Sequence, residues 1–502
     1  MVTGAGLHFT LKRIANTLRL IAKNKMAIIG LFLLSAFIFM ALGAPLLSPY
    51  RPTQQVAGVL AQPEWIMNFP DGYYLSRNVV DPSSRAFTSP ASVQQWTLSA
   101  SHSALANLQE VYAPGLFSST SGSTGSLQLS HTGSDPANVT LSRTFQFPYH
   151  GPPYGFFAHL QYQLQGASPA TPIGVRLFIE RSQPGQQHGF QTFFLLNEND
   201  TQNGSWLPTG SNSTLSTPNY GQVATNLGFP SDQDVAGLIF SEQTSYSYGV
   251  QVTFYGDQKI SIDNLQLQLL GTAWGLLGTD NAGDDVYTWT VYGARVSLFV
   301  GLLAAFIGIG LGLVVGLIAG FLGRIVDEVL MRFTDMMLVI PVLPLLIVLV
   351  AVLGQNLLNI IIVIGFLGWM GFARIVRSQV LSIRERPFVE AAKASGAGPG
   401  RIILKHVFPN IVSLTYVNLA LSVPGAILTE SALAFLGLSD PTLVSWGRMF
   451  FIVNSSGALA HFPPTWWWVL PPGLGIALVS LSFILIGYAL DDIFNPRLRQ
   501  RR

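Results

Sequence analysis

The sequence predicts a polytopic α-helical membrane protein of six spans with an inserted all-β domain of sandwich or jelly-roll type. Three observations lead there. Only 10% of its 502 residues are charged and 49% are hydrophobic, with mean hydropathy +0.41; a soluble domain carries about a quarter charged residues. Several stretches meet or approach the roughly 20 apolar residues that a spanning helix needs. Between the first and second of them, residues 59–274 are rich in Ser, Thr, Gln, Asn, Gly and Pro and hold no such stretch.

The expected spans are Met26–Leu47, Val296–Leu322, Met336–Leu353, Leu357–Phe372, Ile411–Leu438 and Trp467–Leu490. The fourth is short. Pro424 and Glu430 interrupt the fifth, which predicts a kink and a partly buried carboxylate. Lys12, Arg13, Arg19, Lys23 and Lys25 precede the first span and predict a cytoplasmic N-terminus. Six crossings return Arg497, Arg499, Arg501 and Arg502 to the same side. Loops 323–335 and 373–410 also fall inside, the second with Arg374, Arg377, Arg384, Arg386, Lys393, Arg401 and Lys405. Between spans five and six, Arg448 is the only Lys or Arg. The first span has the basic front of a signal peptide and small residues at Ala41–Ala44. Its apolar core is long and late, so an uncleaved anchor is expected. The resulting division is 1–58, with the N-terminus and first span; 59–274, the extracytoplasmic β domain; and 275–502, the remaining five spans.

Within 59–274, apolar residues alternate at Leu127/Leu129, Leu160/Tyr162/Leu164, Val175/Leu177/Ile179, Val250/Val252/Phe254 and Ile260/Ile262. Turn clusters such as Gly256-Asp257 separate them. Period-two runs broken by turns read as a β-sandwich. The closing run Lys259–Leu267 has a faint resemblance to the last strand of carbohydrate-binding jelly rolls. A structural or docking module is the plainer reading.

The most informative stretch is the inner loop after span four: Glu390-Ala391-Ala392-Lys393-Ala394-Ser395-Gly396-Ala397-Gly398, followed by Arg401 and Ile402–Asn410. Ala and Gly remove side-chain bulk, so a short helix here could seat closely against another protein. Gly396, Gly398, Pro399 and Gly400 break that helix. Glu390 near its start suits the helix dipole. An ordinary interfacial helix is the alternative. The stretch resembles the EAA loop of binding-protein-dependent ABC importers.

The flanks resemble the C-type permeases of the dipeptide, oligopeptide and nickel family, from about 276 to 497. The matching residues include Leu276–Asp280, Tyr292–Leu298, Gly316–Gly320, Asp327–Arg332 with Asp335 and Pro341, and Gly368-Trp369 with Ala373-Arg374. They continue through Arg384–Arg386, Gly425–Glu430, Leu433–Leu438, Ser445-Trp446-Gly447, Leu490–Asp492 and Asn495–Arg497. Two departures stand out. Asp284 replaces an Arg usual in the family, with Thr288–Thr290 in place of a Ser-Arg pair, and the β insertion stands where a short connection is usual. The resemblance implies a permease subunit for peptide import, with oligosaccharide or nickel as alternatives. It implies a homologous B-type permease, two cytoplasmic ABC ATPases and an extracytoplasmic substrate-binding protein as partners, all at the plasma membrane. It assigns Glu390, Ala391, Ala392, Ser395, Gly396, Ala397, Gly398 and Arg401 to ATPase coupling.

Other candidates are weaker. Glu430 reads as a structural polar contact ahead of a substrate ligand. Trp466, Trp467 and Trp468 read as an aromatic belt ahead of a substrate platform, Trp466 being the substrate-path candidate. His406 and His461 have no partners at metal-ligand spacing. With no cysteine there are no disulfides or thiolate sites. No P-loop, His-Glu-x-x-His or Gly-x-Ser-x-Gly occurs, so ATP and its Mg are expected on partner subunits and no cofactor on this chain. A net charge of +2 gives no case for nucleic acid. A secondary transporter would need more ionisable residues within the spans than Glu430. A membrane-anchored glycan-binding surface protein would leave the later spans and the EAA-like loop unexplained.

Overall fold

A computed structural model describes residues 24–80, 87–100, 107–118, 123–182, 190–208, 214–216, 220–460 and 464–494. The basic residues at 12–23 and 497–502, together with His461, lie outside these. The chain divides into two compact units, 55–285 and the remainder.

Unit 55–285 is built of two antiparallel sheets. One runs Thr214–Ser216, Gly155–Gln165, Gln258–Leu270, Gly125–His131 and Leu108–Pro114. Val79–Val80 pairs on Gln258–Leu270, and Trp206–Pro208 on Gly155–Gln165. The other runs Thr97–Ala100, Ala137–Phe147, Thr244–Phe254, Ile173–Ser182 and Phe190–Asp200. All thirteen alternating residues named above are fully buried, and they come from both sheets into one hydrophobic cluster. The turn at Gly256-Asp257 therefore carries the chain from one sheet to the other.

The closing strand changes phase, as its apolar residues do: Ile260 and Ile262 are followed by Leu265 and Leu267. Its register shifts between Asp263 and Gln266, where Asn264 takes φ 51°. The cause is polar. Asp263 is fully buried, and its carboxylate accepts the Ser118 N–H at 2.8 Å, the Ser123 hydroxyl at 2.6 Å and the Asn264 N–H at 2.8 Å. A bulge is the device that turns one residue out of a ladder to make such contacts. The unit also continues past the compositional break at 274. Thr279 donates its hydroxyl to the Gly58 carbonyl at 2.6 Å, and the Thr279 N–H donates to Ala61 at 2.9 Å. Residues 55–285 expressed alone are expected to give a β-type circular dichroism spectrum and a cooperative melt. A disordered spectrum in native buffer would contradict this.

The second unit is helical: α1 (Lys25–Leu42), α2 (Val286–Leu322), α3 (Arg324–Val339), α4 (Val342–Leu353), α5 (Leu357–Leu367), α6 (Met370–Arg384), α7 (Pro387–Ala394), α8 (Phe408–Phe435), α9 (Trp446–Ser455) and α10 (Trp466–Phe494). Four stretches are long and apolar enough to cross a membrane singly: α1, α2, Pro399–Phe435 and α10. Two bent pairs raise the number to as many as six.

The bends are where the structure corrects the expected spans. Residues 324–335 form helix, and α3 meets α4 at 90°. Pro341 has no N–H and disfavours helical geometry at Ile340, which is extended with ψ 128°. The short fourth stretch is α5, which continues into α6 through a 40° bend at Gly368-Trp369. In contrast, α8 runs through Pro424 without interruption.

Helix α2 packs along α6 with small residues at the contact. A Cβ on Gly312 would lie 2.6 Å from the Trp369 carbonyl, and one on Gly316 2.6 Å from that of Ala373. Close backbone approach of this kind replaces the hydrophobic drive that lipid does not supply. Asp327 and Asp335 of α3 pair with Arg377 and Arg374 of α6, the Asp327–Arg377 contact being two-pronged at 2.5 and 2.6 Å.

Candidate functional site

Helix α7 begins where Arg386 closes the turn after α6, and Pro387 takes its first position, where a missing N–H costs nothing. Val389 is its buried anchor. It joins Ile402 and Val407 in a cluster with Val376 and Val380 of α6 and Leu317 and Phe321 of α2. Glu390, Ala391, Lys393, Ala394 and Ser395 are exposed. Lys393 lies over the Phe321 ring at 5.8 Å.

The end of α7 explains Gly396. Its φ is 77°, its N–H donates to the Lys393 carbonyl at 3.0 Å, and the Ala397 N–H donates to Ala392 at 3.1 Å. This pair of bonds is the Schellman closure, which needs a left-handed residue at the glycine position. Ala392 and Ala397 complete it by packing half-buried against the same cluster. Gly398 then starts the single turn Pro399–Ile402, and Ile403–Val407 form a π turn leading into α8. Cβ atoms on Gly396, Gly398 and Gly400 would meet nothing within 4 Å. Arg401 is exposed, as are Phe388 (44%) and Leu404 (70%).

The coupling candidates thus gather on one short element. Glu390, Ala391, Ser395, Gly396, Gly398 and Arg401 face out, while Ala392 and Ala397 lean inward. The arrangement offers no nucleophile with an adjacent base. It is a bare, rigidly closed helix on an apolar pivot, suited to docking. Phe388, outside the run quoted from the sequence, and Leu404, within Ile402–Asn410, add apolar surface beside it.

Glu430 and Trp466 do not join this element. Glu430 is buried, and its carboxylate accepts the Ser445 hydroxyl at 2.8 Å. Ser445 in turn caps α9 by accepting the Arg448 N–H at 3.2 Å. The neighbouring residues share this junction. Trp446 is fully buried and donates its indole N–H to the Thr290 carbonyl at 2.9 Å, and a Cβ on Gly447 would lie 2.6 Å from Ser431 Cα. Trp466 is 38% exposed, but Trp467 and Trp468 are buried in the helical unit, so the three do not form one belt. The aromatic dyad at 467–468 serves the core. Among the described residues no cluster of three or more His, Asp or Glu could hold a metal ion.

A helical unit with four to six apolar stretches able to cross a membrane defines a multi-span membrane protein. The chain belongs to the family of binding-protein-dependent transport system inner membrane components, which matches residues 312–500. The N-terminal transmembrane domain of oligopeptide transport permease C matches residues 14–63. A probable peptide ABC transporter permease protein of Sinorhizobium fredii is 41% identical over 226 residues, 45% of this chain and 76% of that one. A dipeptide transport system permease protein of Alkalihalophilus pseudofirmus is 42% identical, with 44% and 72% covered. An oligopeptide transport system permease protein of Bacillus subtilis is 38% identical, again with 44% and 72% covered. The chain is therefore a C-type ABC permease subunit and no enzyme, since ATPase function in these transporters lies with other subunits. A family 11 carbohydrate-binding module from Clostridium thermocellum, in complex with a mixed-linked tetrasaccharide, aligns at 13% identity and TM-score 0.22. The alignment covers 39% of this chain and 97% of that one. At that score the likeness carries no argument about fold or ligand.

Proposed function

We propose that this subunit imports peptides, forming half of a translocation path with a homologous B-type permease. Two cytoplasmic ATPases would drive it, and an extracytoplasmic binding protein would deliver the substrate. The observation that carries the reading is the exposed α7, closed at Gly396 and pivoted on Val389. The peptide assignment rests on the similarity to peptide, dipeptide and oligopeptide permeases. In this reading the bent pairs each count as one span, giving six. Both termini then lie in the cytoplasm and residues 59–274 outside, as the basic loops favour. Glu390, Ala391, Ala392, Ser395, Gly396, Ala397, Gly398 and Arg401 form the seat for an ATPase. Glu430 acts as a positioning carboxylate for α9 through Ser445.

Two experiments test this. Proteoliposomes holding the full transporter should take up labelled di- or oligopeptides with ATP. Uptake of an oligosaccharide or of nickel instead would move the substrate class and leave the machinery. Protease added to intact spheroplasts should cut within 59–274 and spare α7. Cleavage of the β domain only in inverted vesicles would reverse every span.

A further inference from the structure

Within the helical unit, α3 is joined to the helices before and after it by breaks. At its start Gly323 and Arg324 take left-handed φ values of 65° and 48°, the second costly for a residue with a Cβ. At its end the chain turns 90° at Ile340-Pro341 into α4. Among the described residues of α3, only Thr334 is buried. Its side-chain bonds to other helices converge on one place. Among the described residues, they all go to α6 or to Trp369, which precedes its first turn. Asp327 pairs with Arg377, Asp335 pairs with Arg374, and Phe333 stacks on Trp369 at 6.3 Å. The two ion pairs are unequal. Arg377 and Asp327 are 35% and 16% exposed, against 52% and 57% for Arg374 and Asp335, and the first pair is two-pronged. A planar fork fixes angle as well as distance.

We propose that the Asp327–Arg377 pair carries motion of α7 into α3 and through the bend into α4, which makes both residues positioning residues for ATP-driven transport. The proposal rests on the reading of α7 as the ATPase seat. The place of Arg377 on α6 carries it. Arg377 directly follows Val376 and stands three residues before Val380, and those two valines share the cluster that holds Val389 of α7. The turn of α6 on which α7 pivots is therefore the turn that grips the first turn of α3. A displacement of α7 reaches α6 through packed side chains, and the fork hands it on to α3. Contiguous packing and ion pairs of this kind are what couple separated sites. The backbone offers no shorter route, because residues 327 and 377 lie far apart in the chain and the connections at both ends of α3 are bent.

The test uses the full transporter in proteoliposomes and reads peptide imported per ATP hydrolysed. Two variants break the fork: Asp327→Asn, and Arg377→Lys, which keeps the charge and loses the planar geometry. In each the ratio should fall about fivefold, while ATPase retention in detergent and the melting temperature stay near those of the parent. A pair that only holds the helices together would move the melt and leave the ratio. Exchanging the charges, Asp327→Arg with Arg377→Asp, should recover most of the lost ratio. An unchanged ratio in both single variants overturns the proposal. So does a ratio that falls only together with the melt and ATPase retention, and so does an exchanged pair that recovers nothing. Should Asp327→Asn fail to reach the membrane, Arg377→Lys decides alone. The reading of α7 is at stake separately in Gly396→Glu. If that variant stops uptake while both fork variants import normally, α7 keeps its role and only the ion-pair link falls.

Discussion

Replacing Gly396 by glutamate is expected to leave the protein in the membrane and to abolish transport. The Schellman closure requires φ 77° at this position. A side chain with a Cβ pays about 1–2 kcal/mol for the left-handed region, a factor of roughly 5–30 in population. That is enough to loosen the end of α7 and too little to unfold the helical unit. The glutamate itself would project into open space, as nothing lies within 4 Å of its Cβ. Any steric or charge defect would therefore arise against a partner. Three variants separate the two effects. Gly396→Asn tolerates the left-handed conformation and should keep most uptake. Gly396→Ala carries only the backbone strain and should lose part of it. Gly396→Glu should lose uptake by more than about tenfold beyond the strain alone and fail to retain the ATPases in detergent. Glu390→Lys should resemble Gly396→Glu, because Glu390 is the exposed acidic group on α7. Normal uptake and ATPase retention in Gly396→Glu would remove α7 from the coupling path.

Truncating Trp446 to alanine should cost the helical unit about 3–5 kcal/mol, the usual range for a buried aromatic. Trp446 is fully buried and lies where four helices meet. Its ring meets Phe37 of α1 edge-on at 5.8 Å, and its indole N–H holds the Thr290 carbonyl of α2. Glycines make room for it: a Cβ on Gly293 of α2 would lie 2.8 Å from the ring and one on Gly475 of α10 2.9 Å. Because glycines cannot fill the hole, the cavity would persist, and the loss should sit at the upper end of the range. The melting temperature in detergent should drop by about 6–20 °C. Trp446→Phe should restore most packing and lack the indole hydrogen bond, worth about 1 kcal/mol. A Trp446→Ala melt within a degree or two of the parent would show that the junction carries little stability.

Much of this was legible in consecutive residues. Runs of apolar side chains marked α1, α2, α8 and α10, because a bilayer of fixed thickness demands them. Alternation marked the strands, because a pleated strand turns every second side chain to one face. The glycine that closes α7 was legible too, since the end of a helix is a local event. None of these needs knowledge of what lies across the fold.

What the letters could not convey depends on partners distant in the chain. Arg374 and Arg377 counted as inner-loop charges, yet they pair with Asp335 and Asp327 across α3 and α6. The three tryptophans at 466–468 looked alike, but helix packing buries two and leaves Trp466 half out. In the run Lys259–Leu267 the apolar phase slips after Ile262, but that buried Asp263 takes donors from Ser118 and Ser123 could not be read there. Pro424 and Pro341 are the same residue type, but α8 runs on through the first, while the chain turns 90° at the second. Periodicity reports which face of an element is apolar. Which surface covers that face, and which charge meets which, is settled only when residues far apart in sequence are brought within a few ångströms.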